Sequence, residues 1–215
     1  GANCSPATAK LTLEFNDVAA LIEQGGSMFQ NRTDGTAAYE VPKGSGLNAI
    51  YAGALWMGGT DVNGQLKLAA LRYRQGNDFW PGPLTVTPGT GTYNPLFPVG
   101  DDATRDFGEA NIDPDQCQAY DRIYTIRKAE VIRFNIWWSC SSGETTEGCD
   151  DITEPTNDEL QRIYGWPAHG DVSRGQDYFL APFYDRDEDG NYNPDAGDHP
   201  WYDDILGRDD IECGI

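Results

Sequence analysis

Turn-forming residues recur about every ten residues along this chain, and that spacing limits the length of any helix or strand between them. The sequence contains 25 Gly and 13 Pro in 215 residues. The apolar stretches between them are short for helices and of ordinary length for strands. Four such stretches are predicted strands: 11–15, 49–52, 54–57 and 66–73. We expect a mainly β fold with β-sandwich-like antiparallel sheets, two or three short helices and long Pro/Gly-rich loops.

The segment Asp61–Gln65 carries the clearest turn signal. Its Asn63-Gly64 pair favours a two-residue hairpin turn, because both residues tolerate a positive φ. Apolar stretches precede and follow it. The sequence therefore predicts an antiparallel hairpin between the strand that contains Leu55 and the strand that begins at Leu66.

A first helix is predicted over residues 16–23. Asn16 is a suitable N-cap, and Gly25-Gly26 is a suitable stop. The spacing of three apolar residues places them on one helical face. These residues are Val18, Leu21 and Ile22.

Two further helices are predicted in the second half of the chain. One covers residues 126–137, with an apolar stripe formed by Ala129, Ile132 and Ile136. The other begins at a capping box, in which Thr156 and Glu159 satisfy each other's backbone N–H groups, and it ends at Gly165.

Acidic residues outnumber basic ones, with 35 Asp and Glu against 15 Lys and Arg, for a formal net charge of −20. The first hundred residues are close to neutral, so the acidic charge belongs to the remainder. Such a field argues against nucleic acid and anionic membranes as partners. No apolar run approaches the roughly 20 residues of a membrane span, so no membrane insertion is expected. Residues 144–159 hold seven acids and no base, and are predicted to form an exposed loop.

Five cysteines are present: Cys4, Cys117, Cys140, Cys149 and Cys213. Cys140 and Cys149 enclose a small polar segment, which is typical of a loop closed by a disulfide. No Cys-x-x-Cys pair occurs, which argues against zinc and thioredoxin-like chemistry. We expect oxidised cysteines and an extracellular location. The odd count leaves the full pairing open and makes Cys213 the candidate without a mate in this chain.

Residues 185–198 contain the sharpest functional signal. Acidic side chains at loop positions 1, 3 and 5 are followed by Gly190 at position 6, as in the first half of an EF-hand-type calcium loop. Alternate residues of a tight loop point their oxygens to one focus, and Ca²⁺ takes six to eight oxygen ligands. The predicted calcium ligands are Asp185, Asp187, Asp189, Asn191, Asn193 and Asp198.

Position 12 of this loop is Ala196 rather than the usual bidentate acid. Asp198 or Asp195 would close the site if the turn over residues 194–197 bulges. The loop resembles those of dockerins and thrombospondin type 3 repeats. A metal-free Asx turn and a catalytic metal are the two alternative interpretations.

Catalytic patterns are weaker. Pairs of carboxylates carry little information in so acidic a chain. His169 lies near Asp171 and Ser173, but no Gly-x-Ser-x-Gly elbow surrounds that serine. We therefore interpret His169 as a structural residue and predict no catalytic residues. The six tryptophans are more typical of core packing than of a sugar-binding platform.

Several strings in fixed order resemble the N-terminal region of large Bacteroidota surface proteins exported by the type IX secretion system. They are YEVPKGSG at 39–46, GALWMGG at 53–59, GQLKLAA at 64–70, GNDFWPGP at 76–83, WPAHG at 166–170, APFYD at 181–185 and GDHPW at 197–201. The resemblance covers most of residues 11–213. It implies a secreted, multidomain polypeptide that continues beyond Ile215.

From these observations we expect a β-rich module over residues 1–180 and an Asp-rich calcium segment over 181–215. The expected function is that of a secreted, non-enzymatic structural or adhesive module of a cell-surface protein or appendage, stabilised by calcium and disulfides. Its expected partners are the remainder of its own chain or neighbouring subunits, in a homo-oligomer or filament, together with a surface glycan. A carbohydrate-binding or carbohydrate-active module is the alternative; it predicts one or two solvent-exposed tryptophans in a groove, whereas the structural module predicts buried ones.

Overall fold

The computed structural model describes residues 4–60, 66–71, 78–88 and 108–201. The chain divides into two compact units, Gly1–Ile123 and Tyr124–Ile215. Short antiparallel strands and three helices make up the described secondary structure, which confirms the predicted mainly β class with short helices. The expected module boundary at residue 180 lies inside the second unit. No helix among the described residues is long and apolar enough to cross a membrane.

The first unit contains a five-stranded antiparallel sheet. Its strand order is β1-β2-β3-β7, and β6 also pairs with β2. The same unit also contains two small ladders, β4 with β5 and β10 with β11, and a separate hairpin of residues 56–60 with 66–70. The strands of the sheet and of these ladders are β1 (Lys10–Phe15), β2 (Val18–Glu23), β3 (Ser27–Met28), β4 (Gln30–Asn31), β5 (Thr36–Ala37), β6 (Tyr39–Glu40), β7 (Gly53–Ala54), β10 (Thr85–Pro88) and β11 (Gly108–Asn111).

The helix predicted over residues 16–23 is wrong, because this segment forms β2. Phe15 pairs with Val18, so Asn16 and Asp17 make a two-residue hairpin turn. Asn16 adopts a φ of 53°, a conformation that Asn tolerates better than most residues. β2 then pairs with β1 and also with β3 and β6, and these backbone bonds outweigh a helical periodicity of only a few residues.

The predicted hairpin is confirmed in its strands: β8 (Trp56–Thr60) pairs antiparallel with β9 (Leu66–Ala70). The turn residues 61–65 lie outside the described part of the chain, as do residues 72–73 of the longer predicted strand. Residues 49–52 do not form the predicted strand. Only one isolated bridge, Glu40 with Asn48, precedes them.

A disulfide between Cys4 and Cys117 ties the start of the first unit to helix α1 (Pro114–Ala119). Asp113 caps this helix by accepting the N–H of Gln116. Cys4 and Cys117 pack with Ile112 in a buried cluster against which Trp80 lies. The long bridge and its apolar surroundings therefore fix the N-terminal segment.

Two helices organise the second unit, α2 (Lys128–Ser141) and α3 (Asn157–Tyr164). Both helices were predicted, and α3 has the predicted capping box and ends at Gly165. The predicted apolar stripe of α2 is wrong, because the helix buries Val131 and Phe134 while Ala129 and Ile136 are exposed. Glu130, which is also buried on this helix, accepts two bonds from the partly exposed Arg162 of α3.

The other described residues of the second unit are mostly irregular. It contains 3-10 helices at Val172–Arg174 and Pro194–Ala196 and a short antiparallel ladder of β12 (Phe183–Tyr184) with β13 (His199–Pro200). Trp201, directly after β13, packs with Val131 of α2. A second disulfide joins Cys140 to Cys149, the pair expected from its loop. Cys213 lies outside the described residues.

The acidic stretch 144–159 is exposed over most of its length, as predicted. The last residue of this stretch is an exception to the exposure. Glu159 is buried in the α3 capping box, where its carboxylate also accepts a bond from Arg133 at 2.6 Å.

Candidate cation site

The two-residue ladder of β12 and β13 brings the ends of the acidic loop, Asp185–Asp198, together. Tyr184 pairs with His199. The next residues inward, Asp185 and Asp198, therefore face each other across the neck of the loop. The register of two flanking strands thus explains why Asp198, two residues later than the usual closing position, can reach the loop's focus.

The additional length of this loop is taken up by a tight turn. Asn193 caps the 3-10 helix Pro194–Ala196 by accepting the N–H of Asp195 at 3.1 Å. Gly197 follows with a φ of 98°, a conformation that glycine adopts without strain. This is the bulge that closure by Asp198 required.

Three of the six predicted ligands converge. Asp185, Asp187 and Asp198 each present a carboxylate oxygen, and these oxygens lie within 4.8 Å of one another. Asp187 is exposed, Asp185 is partly buried and Asp198 is 0% exposed. A solvent-open carboxylate thus lies beside a fully enclosed one, an arrangement in which a cation can enter from one side.

Backbone amides hold the buried carboxylate in place. Asp198 Oδ1 accepts the N–H of Arg186 at 2.8 Å, and its Oδ2 accepts the N–H of Asn193 at 2.7 Å. Each oxygen keeps a second lone pair, because a carboxylate oxygen can accept more than one bond. The side chain is therefore both fixed in direction and able to bind a cation.

Ionisation of all three carboxylates at once is unfavourable in this site. Burial raises the pKa of the Asp198 carboxyl above its ordinary value, and the nearby charges of Asp185 and Asp187 raise it further, while the two backbone bonds lower it. A buried carboxylate among like charges favours either a proton or a compensating cation. Six acidic residues and one basic residue occupy positions 181–201.

The other three predicted ligands turn their side chains to neighbouring groups. Asp189 Oδ1 accepts the N–H of Asn191 at 2.7 Å, which is an Asx turn. Asn191 Oδ1 accepts the hydroxyl of Tyr178, and Asn193 Oδ1 caps the 3-10 helix. Asp185 also accepts the N–H of Gly190 at 2.7 Å. The loop thus contains the Asx turn of the alternative interpretation beside the three converging carboxylates.

His169 supports the loop from outside and shows the arrangement expected of a structural histidine. Its Nε2 accepts the N–H of Tyr192 at 2.8 Å, so Nδ1 carries the proton and donates to the carbonyl of Tyr178 at 3.1 Å. The hydroxyl of Ser173 donates to Asp171 at 2.5 Å. Both ring nitrogens of His169 are therefore engaged by backbone groups, and Ser173 is paired with a carboxylate instead.

Sequence reasoning missed the residues that anchor the acidic loop to α2. Trp138 donates its indole N–H to the carbonyl of Asp195 at 3.0 Å. Arg186, the second residue of the loop, stacks over Trp138 with 4.7 Å between its guanidinium carbon and the ring centroid. The one signal in the sequence was a single Arg within a run of acids.

One tryptophan is exposed. Trp56 in β8 is 68% exposed, and its indole N–H donates to the carbonyl of Leu71 at 2.9 Å. The pairing of β8 with β9 places Leu66, Leu68 and Ala70 on the same face. This surface is mostly aliphatic rather than rich in hydrogen-bonding side chains.

Comparison with protein-family models, with curated proteins and with solved structures gives no match for this chain.

Proposed function

We propose that this chain is a secreted, non-enzymatic structural or adhesive module, and that Ca²⁺ bound by the acidic loop stabilises its second unit. The observation that carries the proposal is the convergence of Asp185, Asp187 and the fully buried Asp198. A cation at that focus removes the repulsion among the three carboxylates and makes the burial of Asp198 favourable.

The chemistry of the donors favours calcium over other metals. All three converging groups are carboxylates, the hard ligands of Ca²⁺ and Mg²⁺, rather than the imidazole and thiolate that zinc prefers. Ca²⁺ accepts six to eight oxygens in flexible geometry, so water and backbone carbonyls of an irregular loop can complete its shell. Sites of this kind in extracellular modules bind at about 10⁻⁴–10⁻³ M.

A structural role fits the surroundings of the site. The ladder of β12 with β13, Trp138 and His169 all hold the backbone of the acidic loop. His169 and Ser173, the residues considered for a catalytic triad, are each engaged with other partners. A cation here would therefore hold the loop closed, and its effect would appear as stability.

The cellular setting belongs to the same proposal. Two disulfides support an oxidising, extracellular location. In this setting the module is exported by a type IX secretion system and acts beside the remainder of its own chain or neighbouring subunits in a filament. A glycan-binding role is the second candidate, supported by the exposed indole of Trp56.

Thermal unfolding in calcium and in chelator tests the proposal. Binding only to the folded state adds RT ln(1 + [L]/Kd) to the free energy of unfolding. With a Kd of about 10⁻⁴–10⁻³ M, 2 mM Ca²⁺ is therefore expected to add about 0.6–1.8 kcal/mol and to raise the Tm of the second unit by about 3–14 °C. Asp187→Asn removes an exposed ligand and is expected to abolish the rise. Glu188→Gln, the adjacent residue with the same change of charge, is the matched control and should keep it. Equal Tm values for the wild type in calcium and chelator would contradict the proposal.

The glycan candidate has its own test. Trp56→Ala is expected to remove any binding seen on a glycan array, while Trp138→Phe, which alters a tryptophan of the second unit, should retain it. Absence of wild-type binding to every glycan would exclude the candidate and leave the calcium proposal untouched.

A further inference from the structure

Arg186 ties the acidic loop to the end of α2. Its side chain is 15% exposed. Nη1 donates to both carboxylate oxygens of Glu144, at 2.9 and 2.8 Å, and Nη2 donates to Asn135 Oδ1. The guanidinium also stacks on Trp138. A single side chain therefore links the loop to α2 and to the segment that follows it.

The same residue fixes the buried carboxylate. The N–H of Arg186 donates to Asp198, and its Nε donates to the carbonyl of Gly197 at 3.4 Å. A Cβ added to Gly197 would lie 2.6 Å from Arg186 Nε and 2.8 Å from Trp138 Cδ2. Because the Arg186 side chain packs directly on the backbone that presents Asp198, moving the guanidinium would disturb both ends of the loop.

Glu144, the partner of that guanidinium, lies inside the bridge loop, Cys140–Cys149. Its carboxylate accepts the hydroxyl of Ser139 at 2.6 Å, and Thr145 N–H donates to the Ser139 carbonyl at 3.1 Å. The Glu144 side chain is half exposed, and an ion pair of this kind contributes little by itself. The covalent bridge closes the loop that carries Glu144 and limits how far that loop can move away from Arg186.

We infer that the Cys140–Cys149 bridge is a redox-sensitive latch for the acidic loop. With the disulfide formed, Glu144 holds Arg186, and Arg186 holds the backbone around Asp198. A dithiol reductant supplies two electrons and two protons, the S–S bond breaks into two thiols, and the dithiol becomes a disulfide. The segment that carries Glu144 is then free to move away, and Arg186 loses this partner while it keeps Asn135 and Trp138, so the acidic loop is held less tightly.

The latch also regulates the cation site, and this part rests on the proposed function. A guanidinium that no longer pairs with Glu144 carries an uncompensated charge between Asp185 and Asp187 in sequence, and it competes with a cation for their carboxylates. Loosening of the loop and competition by the guanidinium both weaken the binding of Ca²⁺. The oxidised protein therefore binds Ca²⁺ more tightly than the reduced one.

Hydrogen exchange in the absence of metal tests the latch directly. The amides of Arg186 and Asn193, both bound to Asp198, are expected to exchange at least about fivefold faster in Cys140→Ser/Cys149→Ser and in Glu144→Ala than in the wild type. Glu147→Ala, an exposed acid of the same bridge loop, is the matched control and should exchange at the wild-type rate. Circular dichroism checks that each variant folds, and Glu144→Ala retains the bridge if the double variant does not fold.

Calcium titration of the same four proteins separates the two proposals. A Kd raised about fivefold or more in the first two variants supports the regulation. Wild-type exchange rates in either Cys140→Ser/Cys149→Ser or Glu144→Ala would overturn the latch whatever the calcium result. Faster exchange in the variants with no calcium binding by the wild type would contradict the proposed function and leave the latch standing.

Discussion

In the first unit the backbone is held by ladders between strands, whereas in the second unit the acidic loop is held by a few side chains. β2 forms backbone bonds on both of its edges. The acidic loop has a two-residue ladder of β12 with β13 at its neck, and side-chain contacts hold the rest, among them those of Arg186, Trp138, His169 and Asp198. A ladder tolerates side-chain changes that leave its pairing intact. A loop held by named side chains depends on each of them, and that dependence allows ligands and redox state to act on it.

The largest expected effect concerns the two disulfides. Removing the bridge across 113 residues in Cys4→Ser/Cys117→Ser is expected to cost about 4–5 kcal/mol, while removing the 9-residue bridge in Cys140→Ser/Cys149→Ser costs about 2–3 kcal/mol. The longer closed loop restrains more of the unfolded chain. Urea unfolding measures both. Equal costs would show that chain entropy does not decide their contributions.

The next effect compares a buried side chain with an exposed one. Phe134 is fully buried on α2, and Phe134→Ala is expected to lower the free energy of unfolding of the protein by about 3–5 kcal/mol. Trp56→Ala in the exposed β8–β9 hairpin is expected to cost less than about 1 kcal/mol. Urea unfolding midpoints give both values. A large cost at Trp56 would mean that its face is covered in solution.

Close packing at Gly197 gives a sharper comparison. Gly197→Ala forces a Cβ against Arg186 and Trp138 at positive φ, and is expected to cost about 2–4 kcal/mol. Gly143→Ala also has a positive φ, 79°, but meets nothing within 4 Å, so about 1 kcal/mol is expected. The difference in unfolding free energy isolates the packing contribution. Equal values would contradict the tight contact of Arg186 with the loop.

The smallest effect is a pH dependence at α3. The backbone N–H of Thr156, the Thr156 hydroxyl and Arg133 lower the pKa of the Glu159 carboxyl below its ordinary value of 4.5. A lowered folded-state pKa contributes stability that is fully present above 4.5 and is lost as the pH falls through the folded-state value. Glu159→Gln should therefore flatten the decline of stability in that acidic range. An unchanged slope of unfolding free energy against pH would show that this group contributes nothing.

Local signals in the sequence identified the elements that depend on local chemistry. The Asn63-Gly64 pair, the capping box at Thr156 and the short Cys140–Cys149 spacing each predicted a feature that the described residues contain. The helix predicted over residues 16–23 was wrong because the apolar spacing of so short a segment fits a helix and a strand equally well. Long-range pairing with β1, β3 and β6 decided between them.

The candidate site was predictable in part. The spacing of acidic residues in the sequence predicted Asp185 and Asp187 as members of the site, and it offered Asp198 as one of two residues that could close the loop. That closure depends on the register of Tyr184 with His199, which no spacing rule contains. The contacts of Arg186 with Glu144 and Trp138 join residues more than forty positions apart, and such contacts appear only once the chain has folded.

The central claim is that Ca²⁺ binds at the carboxylate of Asp198, and an NMR titration tests it most directly. The amides of Arg186 and Asn193 donate to Asp198, whereas those of Thr8 and Ala9 donate in the same way to Asp121 of the first unit. We expect saturable shifts of the first pair with a Kd of about 10⁻⁴–10⁻³ M and no shift of the second. Unmoved Arg186 and Asn193 amides at 10-fold higher calcium, on the order of 10⁻² M, would contradict it.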